Sequence, residues 1–452
     1  MLTHQSHLEI IPMNIRLSII GLLLLAPFCL VAQEELSLDD CIKIALENYL
    51  QVKRAENNVK IAKSNRVQAL MEFLPNLNAS GNYNFTFGTD FDNISGKFIS
   101  TTTRNSRLSA GSSLMLFNGF RNTYRLKRVK STEESSRYTL ESSKLDTESN
   151  ILQAYLNVAL DRERVRISEE RVTLLNEQLE REEKRESVGV GNLEQVYNFR
   201  SQLANENLNL VNLTNAFKAD KLRLIQLLNL PNTKDYKIKT YDFGEEDLIL
   251  NNPDFQGIMQ QALMFSPSLK SAQLDYEAAR LGLKESFSSL SPTLTASAGI
   301  GSIYSSNILD ENENTINYGT QINDNRSESV GFNLNIPIFN RFRSKNTIQV
   351  ARLNMLNADI AQNEVEQNVK NNVQQVYLDL VAAQETYRAS QENLKALDQS
   401  LRFVKQRFEE GFTHFYTYLD SLNKKNRAEI ELANAKYSIV FRKKILDLLQ
   451  GV

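Results

Sequence analysis

Between Pro75 and Phe87 the chain changes character at every step. Leu77, Ala79, Gly81, Tyr83, Phe85 and Phe87 fall on one parity, and Asn76, Asn78, Ser80, Asn82, Asn84 and Thr86 on the other. Alternation of this kind predicts a strand with one apolar and one polar face. The pattern recurs three times. Leu108, Ala110, Ser112, Leu114 and Leu116 oppose Arg107, Ser109, Gly111 and Ser113; Leu294, Ala296, Ala298, Ile300 and Tyr304 oppose Thr293, Thr295, Ser297, Gly299 and Gly301. Val330, Phe332, Leu334, Ile336 and Ile338 oppose Ser329, Gly331, Asn333 and Asn335. The predicted strands, 76–88, 106–117, 293–304 and 328–338, are about ten residues each, the length and dyad pattern of a transmembrane barrel strand. The apolar parity would then meet lipid and the Asn/Ser/Thr parity would line water. Tyr83, Phe85, Phe87 and Tyr304 lie toward the loop ends, where an interfacial aromatic girdle would use them. A soluble half-buried sheet is the rival reading of the strands alone.

The remaining chain is patterned for helices. Val373, Leu380, Tyr387, Leu394, Leu401 and Phe408 recur every seven residues, as do Ile151, Val158, Val165 and Val172, the period of a coiled-coil seam. Helices are predicted over 120–188 and 341–410, each of about 70 residues and hence roughly 100 Å long. Two shorter ones, 192–229 and 414–450, follow glycine turns. Such rods fit a tube or fibre, not a globular core.

The chain is also written twice. "ALENYLQVKRAENNVKIA" (45–62) matches "ALMFSPSLKSAQLDYEAA" (262–279) at an offset of 217, which aligns Pro75 with Pro292. At an offset of 222, "LFNGFR" (116–121) meets "IFNRFR" (338–343), "QAYLN" (153–157) meets "QVYLD" (375–379), and Gly189 meets Gly411. Each half reads helix (37–73; 257–290), proline-led strand, loop, strand, long helix, turn, helix. The expected organisation is a signal peptide at 1–32, a first repeat at 33–230, an acidic linker at 231–256 and a second repeat at 257–452. The length difference falls in 89–105 and 306–326, polar segments expected to be exposed loops.

Composition narrows the function. With 452 residues and a net charge of −2, no global field argues for nucleic acid. Arg16 followed by "LSIIGLLLLAPFCLVA" reads as an export signal, behind an alternative start at Met13. Cys29 lacks the small residue expected before a lipidated cysteine, which leaves a lipoprotein as a minor alternative. Cleavage would leave Cys41 alone and no internal disulfide. Of three histidines only His414 lies beyond the export signal, and no Cys/His cluster has metal-ligand spacing. "GVGN" (189–192) and "GIGS" (299–302) lack the setting of a phosphate loop. No catalytic residue, metal site or cofactor is expected. Four membrane strands leave open edges that lipid would penalise, so any barrel must be shared among chains.

The duplicated helix–strand–strand–helix–helix units, the proline-led strands and the "LFNGFR"/"IFNRFR" boundaries resemble the TolC-like outer membrane efflux proteins over nearly all of 36–451. The resemblance implies a mainly α chain, internally duplicated, that builds a long coiled-coil α-barrel in the periplasm. It further implies a homotrimer sharing one twelve-stranded β-barrel in the outer membrane, four strands per chain. Tyr83, Phe85, Leu114, Ile300, Phe332 and Leu334 would face lipid; Pro75, Phe117, Pro292, Pro337 and Phe339 would mark the barrel–helix junction. Members serve as the exit duct of tripartite efflux or type I secretion systems, with a periplasmic adaptor (membrane fusion protein) and an inner-membrane pump of the RND or ABC type. The tip turns, Gly189, Gly191, Asn192, Glu194, Gln195, Phe408, Gly411 and Thr413, would contact the adaptor and close the tunnel. The family's Gly-x-x-x-x-x-Asp-x-x-Asp pattern reads here Gly411, Thr417, Asp420, so one acidic ring of two remains. Phe408 and Thr413 stand where latched members carry Tyr and Arg, and Gln195, with Glu194 beside it, where the first hairpin carries Asp. The familiar hydrogen-bonded latch therefore does not transfer. An exported coiled-coil structural or surface protein without a channel is the alternative.

Overall fold

The computed structural model describes residues 35–92, 96–231, 236–241, 244, 248, 254–312 and 314–451. The expected signal peptide lies outside them. The first half comprises β1 (Glu35–Leu36), α1 (Leu38–Asn48), α2 (Leu50–Met71), β2 (Asn78–Asp92), β3 (Lys97–Phe117), α3 (Arg121–Ser187) and α4 (Leu193–Leu227). After β4 (Lys237–Ile238) come α5 (Phe255–Phe265), α6 (Pro267–Phe287), β5 (Thr293–Ser305), α7 (Tyr318–Asp324), β6 (Ser327–Asn335), α8 (Arg343–Glu409) and α9 (Phe415–Gln450). The duplication is plain in the lengths: α3 and α8 each have 67 residues, and α4 and α9 have 35 and 36.

Each helix expected to run unbroken before the first strand is instead two. Tyr49 is extended between α1 and α2 (ψ 127°), and Ser266 between α5 and α6 (ψ 109°). Ser266 precedes Pro267, whose ring disfavours a helical predecessor. Tyr49 is its counterpart in the first half, where no proline enforces the break. Capping restarts the chain at three of these points: Ser37 and Asp40 form a reciprocal box at α1, Asp254 caps α5 and Ser266 caps α6.

The helices lie side by side, α3 against α2 and α4, and α6 between α3 and α8, with α9 along α8. Two matching cores hold the middle of the rods. In the first, Cys41, Ala45, Ile151, Tyr155 and Val158 pack with Leu224 and Leu228; in the second, Ala262, Val373, Val376 and Leu380 pack with Ile439. The pairs Ile151/Val373 and Val158/Leu380 are heptad positions the sequence singles out, and Ala45/Ala262 is a pair aligned by the repeat. Burial pushes the Cys41 thiol up to about 12, as expected of an inert structural cysteine. The described part of the linker is docked, not loose: β4 pairs in parallel with β1, and Tyr155 donates its hydroxyl to the Lys239 carbonyl at 2.8 Å.

At one end of the rods the strands form a single antiparallel sheet, ordered β2-β3-β5-β6. Its register keeps parity as far as a bulge at Leu116, beyond which Phe117 faces Leu294: Ala79 faces Ala110, Ala110 faces Ile300, Leu114 faces Ala296, and Ala296 faces Phe332. All four apolar rows therefore share one face. Three expected bounds change. β6 stops at Asn335 because Pro337 has no amide to donate. β2 and β3 run on to Asp92 and back from Lys97, so the presumed loop 89–105 is mostly hairpin. Thr-rich sequence keeps β propensity where alternation fades, which is why periodicity alone stops short. The second polar segment, 306–326, contains α7. Tyr304 also departs from the girdle reading. It is buried, stacked on Tyr83 with ring centroids 6.4 Å apart and packed by Tyr318 of α7 at 4.9 Å. Gln321, buried on α7, accepts from the Ser305 amide and donates to its carbonyl, fastening α7 to the sheet.

Candidate functional site

Three regions carry the geometry that bears on function: the apolar sheet face, the junction between strands and long helices, and the far tips of the helical hairpins. On the sheet, Val330, Phe332 and Leu334 are 80%, 72% and 60% exposed. Tyr83, Phe85 and Ile300 are also exposed and Leu114 is half-buried. A row of large apolar side chains left bare on a sheet face marks a surface meant to be covered. The opposite face carries Ser80 and Ser109, whose hydroxyls lie 2.8 Å apart, and Thr295, Asn333 and Asn335. β2 and β6 each present an unpaired edge among the described residues.

The junctions are built alike in both halves, which explains "LFNGFR" and "IFNRFR". Two consecutive residues take left-handed backbone: Gly119 and Phe120 (φ 66° and 63°), Arg341 and Phe342 (φ 55° and 60°). Such a pair turns the chain sharply from strand into helix. At Gly119 an added Cβ would lie 2.4 Å from the Ser291 side chain, so only glycine fits there. Asn118 and Asn340 brace the two turns by donating to Asn122 and Ser344 (2.8 and 2.6 Å). Phe117 meets Phe120, and Phe339 meets Phe342, edge to face at 5.7 and 6.0 Å. These exposed ring pairs form an aromatic band beside the apolar sheet face, the place of an interfacial girdle. Pro75, Pro292 and Pro337 adjoin the same level, where each strand meets its helix or turn. Phe120 and Phe342 are members that the reading of the sequence missed; their phenylalanine at a helix N-cap was the available signal.

At the other end, both helical hairpins turn in the same way. Gly189 and Gly411 have φ 79° and 80°. The amides of Val190 and Phe412 reach back to the carbonyls of Arg185 and Arg407 (3.0 and 2.7 Å), closing Schellman turns. A Cβ at Gly191 would meet the Glu186 backbone at 2.3 Å, so this glycine is required by close approach. Asn192 caps α4 by accepting from the Glu194 amide at 2.8 Å. Glu194 is exposed, and Gln195 and Thr413 are half-buried. Val188, Val190, Phe412 and Tyr416 are also exposed, leaving both tips apolar where a plain polar turn would not be. Those four residues are further additions to the expected set. For Val188, Val190 and Phe412 the signal was an apolar residue flanking a turn glycine.

Phe408 departs from the expected tip surface. It is buried in a third core with Leu175, Phe199, Phe415, Tyr418 and Leu422, which ties one hairpin to the other. Its ring stacks on Tyr418 at 5.0 Å, and Phe199 meets Phe415 at 4.6 Å. Phe408 extends the heptad seam of α8, and that period carries it inward. Thr417 and Asp420 are exposed on α9, and Asp420 is ion-paired with Lys424 at 2.7 Å.

The family profile described as outer membrane efflux protein matches residues 41–230 and again 258–451, one match to each repeat. The chain belongs to the outer membrane efflux protein family. Its members are transport conduits of the outer membrane with a long periplasmic helical barrel, not enzymes. Among solved structures, the efflux protein is similar in fold to VceC of Vibrio cholerae (TM-score 0.74, 15% identity, covering 92% of this chain and 96% of that one). It is also similar to the CmeC channel of Campylobacter jejuni (0.72, 16%, 92% and 85%) and to MtrE of Neisseria gonorrhoeae (0.69, 16%, 91% and 88%). No curated protein matches it at a significant level. No helix among the described residues is long and apolar enough to cross a membrane, and no group among them could hold a metal ion.

Proposed function

We propose that this efflux protein forms a homotrimer whose twelve strands close one barrel, and that it serves as the passive exit duct of a tripartite efflux or type I secretion system. A periplasmic adaptor and an inner-membrane pump of the RND or ABC type would engage the tips and open it. The observation that carries this reading is the open four-stranded sheet. Its bare apolar face and two unpaired edges are stable in lipid only if neighbouring copies close the ladder. Native mass spectrometry in mild detergent should show a trimer, and deletion of the gene should sensitise cells to exported compounds. Monomer alone, or recovery in the soluble fraction, would favour an exported coiled-coil structural protein instead.

The tips fit the adaptor-docking role. Val188, Val190, Phe412 and Tyr416 give an apolar contact rimmed by Glu194, Gln195 and Thr413, and glycines 189, 191 and 411 set its shape. Closure would rest on the buried aromatic cluster, not on a hydrogen-bonded latch. Asp420 would form the remaining acidic ring, with Thr417 one turn before it. Lys424 compensates that ring, since it holds the carboxylate of its own chain. Lys424→Gln should therefore raise cation preference severalfold, and Asp420→Asn should lower it, as carboxylate rings favour cations. Reversal potentials in a salt gradient would read both. Equal potentials in all three proteins would place the pair off the conduction path.

A further inference from the structure

A cavity of about 1220 Å³ opens where the strands meet the long helices. Thr293 and Asn335 line it, and both lie on the polar parity of the sheet, so it faces the interior and not the apolar surface. Four arginines line it: Arg121, Arg125 and Arg128 from α3, at spacings that share one helix face, and Arg343 from α8. Glu72 holds Arg125 and Glu285 holds Arg128, each at 2.8 Å. Among the described residues Arg121 and Arg343 have no carboxylate partner.

Their position is unfavourable for the fold. Arg121 and Arg343 are the first residues of the two longest helices, where a cation opposes the helix dipole. Neither helix has an acidic residue in its first turn to offset the charge. The two positions correspond across the repeat, so the same costly choice stands in both halves. A local rule broken without a compensating contact points to function. Gly282 of α6 lines the same cavity beside the Arg128 side chain.

We propose that this cavity is an anion-binding station inside the duct, taking cargo that bears carboxylate, phosphate or sulfate groups. Arg121 and Arg343 supply the uncompensated charge, and planar guanidinium forks match such groups in paired hydrogen bonds. Arg125 and Arg128, already held by carboxylates, set the walls. The inference rests on reading the polar sheet face as the lumen of the duct, and it names a class of cargo for it. Lipid headgroups are poor occupants, because the cavity opens on the face away from the apolar rows.

Equilibrium dialysis of the purified, detergent-solubilised protein against labelled pyrophosphate at low salt tests it without requiring current through the channel. Saturable binding is expected, and it should fall steeply as salt screens the site. The double variant Arg121→Gln/Arg343→Gln should bind at least about tenfold more weakly, because two charge-assisted forks are lost. Arg121→Lys/Arg343→Lys should recover part of the binding, since charge is kept and the fork is lost. Lys184→Gln/Lys405→Gln removes the same charge near the tip and should bind like the parent. Absence of saturable binding, or equal loss in the tip control, would overturn the proposal. Failure to conduct in bilayers would instead count against the duct itself.

Discussion

Phe332→Lys should destabilise the assembled protein by about 2–4 kcal/mol per chain, while Asn333→Lys, one residue on, should leave assembly intact. The two neighbours differ only in parity. Phe332 pairs with Ala296 in the apolar row, and Asn333 pairs with Thr295 in the polar one. Phe332 lies midway along the short β6, far from either interface where a lysine could reach headgroups. A charge there must stay in hydrocarbon or drag water in. On the polar row the same ammonium group remains hydrated, and its effect should appear as altered conductance. Heat-induced dissociation of the oligomer, followed by electrophoresis without boiling, measures the first effect, and single-channel recording the second. Equal loss of assembly from both variants would mean that protein, not lipid and water, covers the two faces.

Phe199→Ala should cost about 3–5 kcal/mol of local packing and leave the tip open. Phe199 is wholly buried on α4 and meets Phe415 on α9, so it joins the first hairpin to the second. Phe408 and Tyr418 complete the cluster, with Gln178 donating to the Tyr418 hydroxyl at 3.3 Å. This cluster joins the hairpins close to their turns, so emptying it frees them to splay. The expected readouts are higher single-channel conductance and greater permeability of cells to large antibiotics. Phe199→Leu, which keeps most of the volume, should restore both. Unchanged conductance despite a lowered melting temperature would make the cluster a stabilising core without a gating role.

Much of this was legible in residue order. Strict alternation located four strands and their common apolar face, and the heptads that end in Phe408 located α8 to within two residues at its start. The repeat offset paired the two junctions before any geometry was known. What failed had physical causes. Pattern sees one segment at a time, so it could not show that Tyr304 lies beneath α7, or that Phe408 points inward to Phe199 on another helix. Asp420 was legible as a spaced acid, yet its partner Lys424 was overlooked because a cation one turn away carries no periodic signal. The arginines at the head of α3 stand in "RNTYRLKRVK" (121–130) and that of α8 follows "IFNRF", and neither run has a pattern that sets it apart from a solvated helix face. Their meaning depends on the wall supplied by α6 and on the missing acidic first turn. Charge becomes a site only when the fold gives it a cavity.

The two β-hairpins are unequal, and this has a practical use. Lys97–Thr102 pairs with β2 alone, so the ladder of the first hairpin runs past its pairing with β5 by about 20 Å. The second is held down by α7. A peptide inserted at the strand ends, next to Asp92 or Lys97, would sit beyond the ladder shared with β5 and clear of the three packed cores, on the kind of exposed hairpin end where insertions are well tolerated. Three copies around a pore would hold three such peptides outside the cell. A tag placed there would, on the proposed assembly, report from the cell surface without touching the duct.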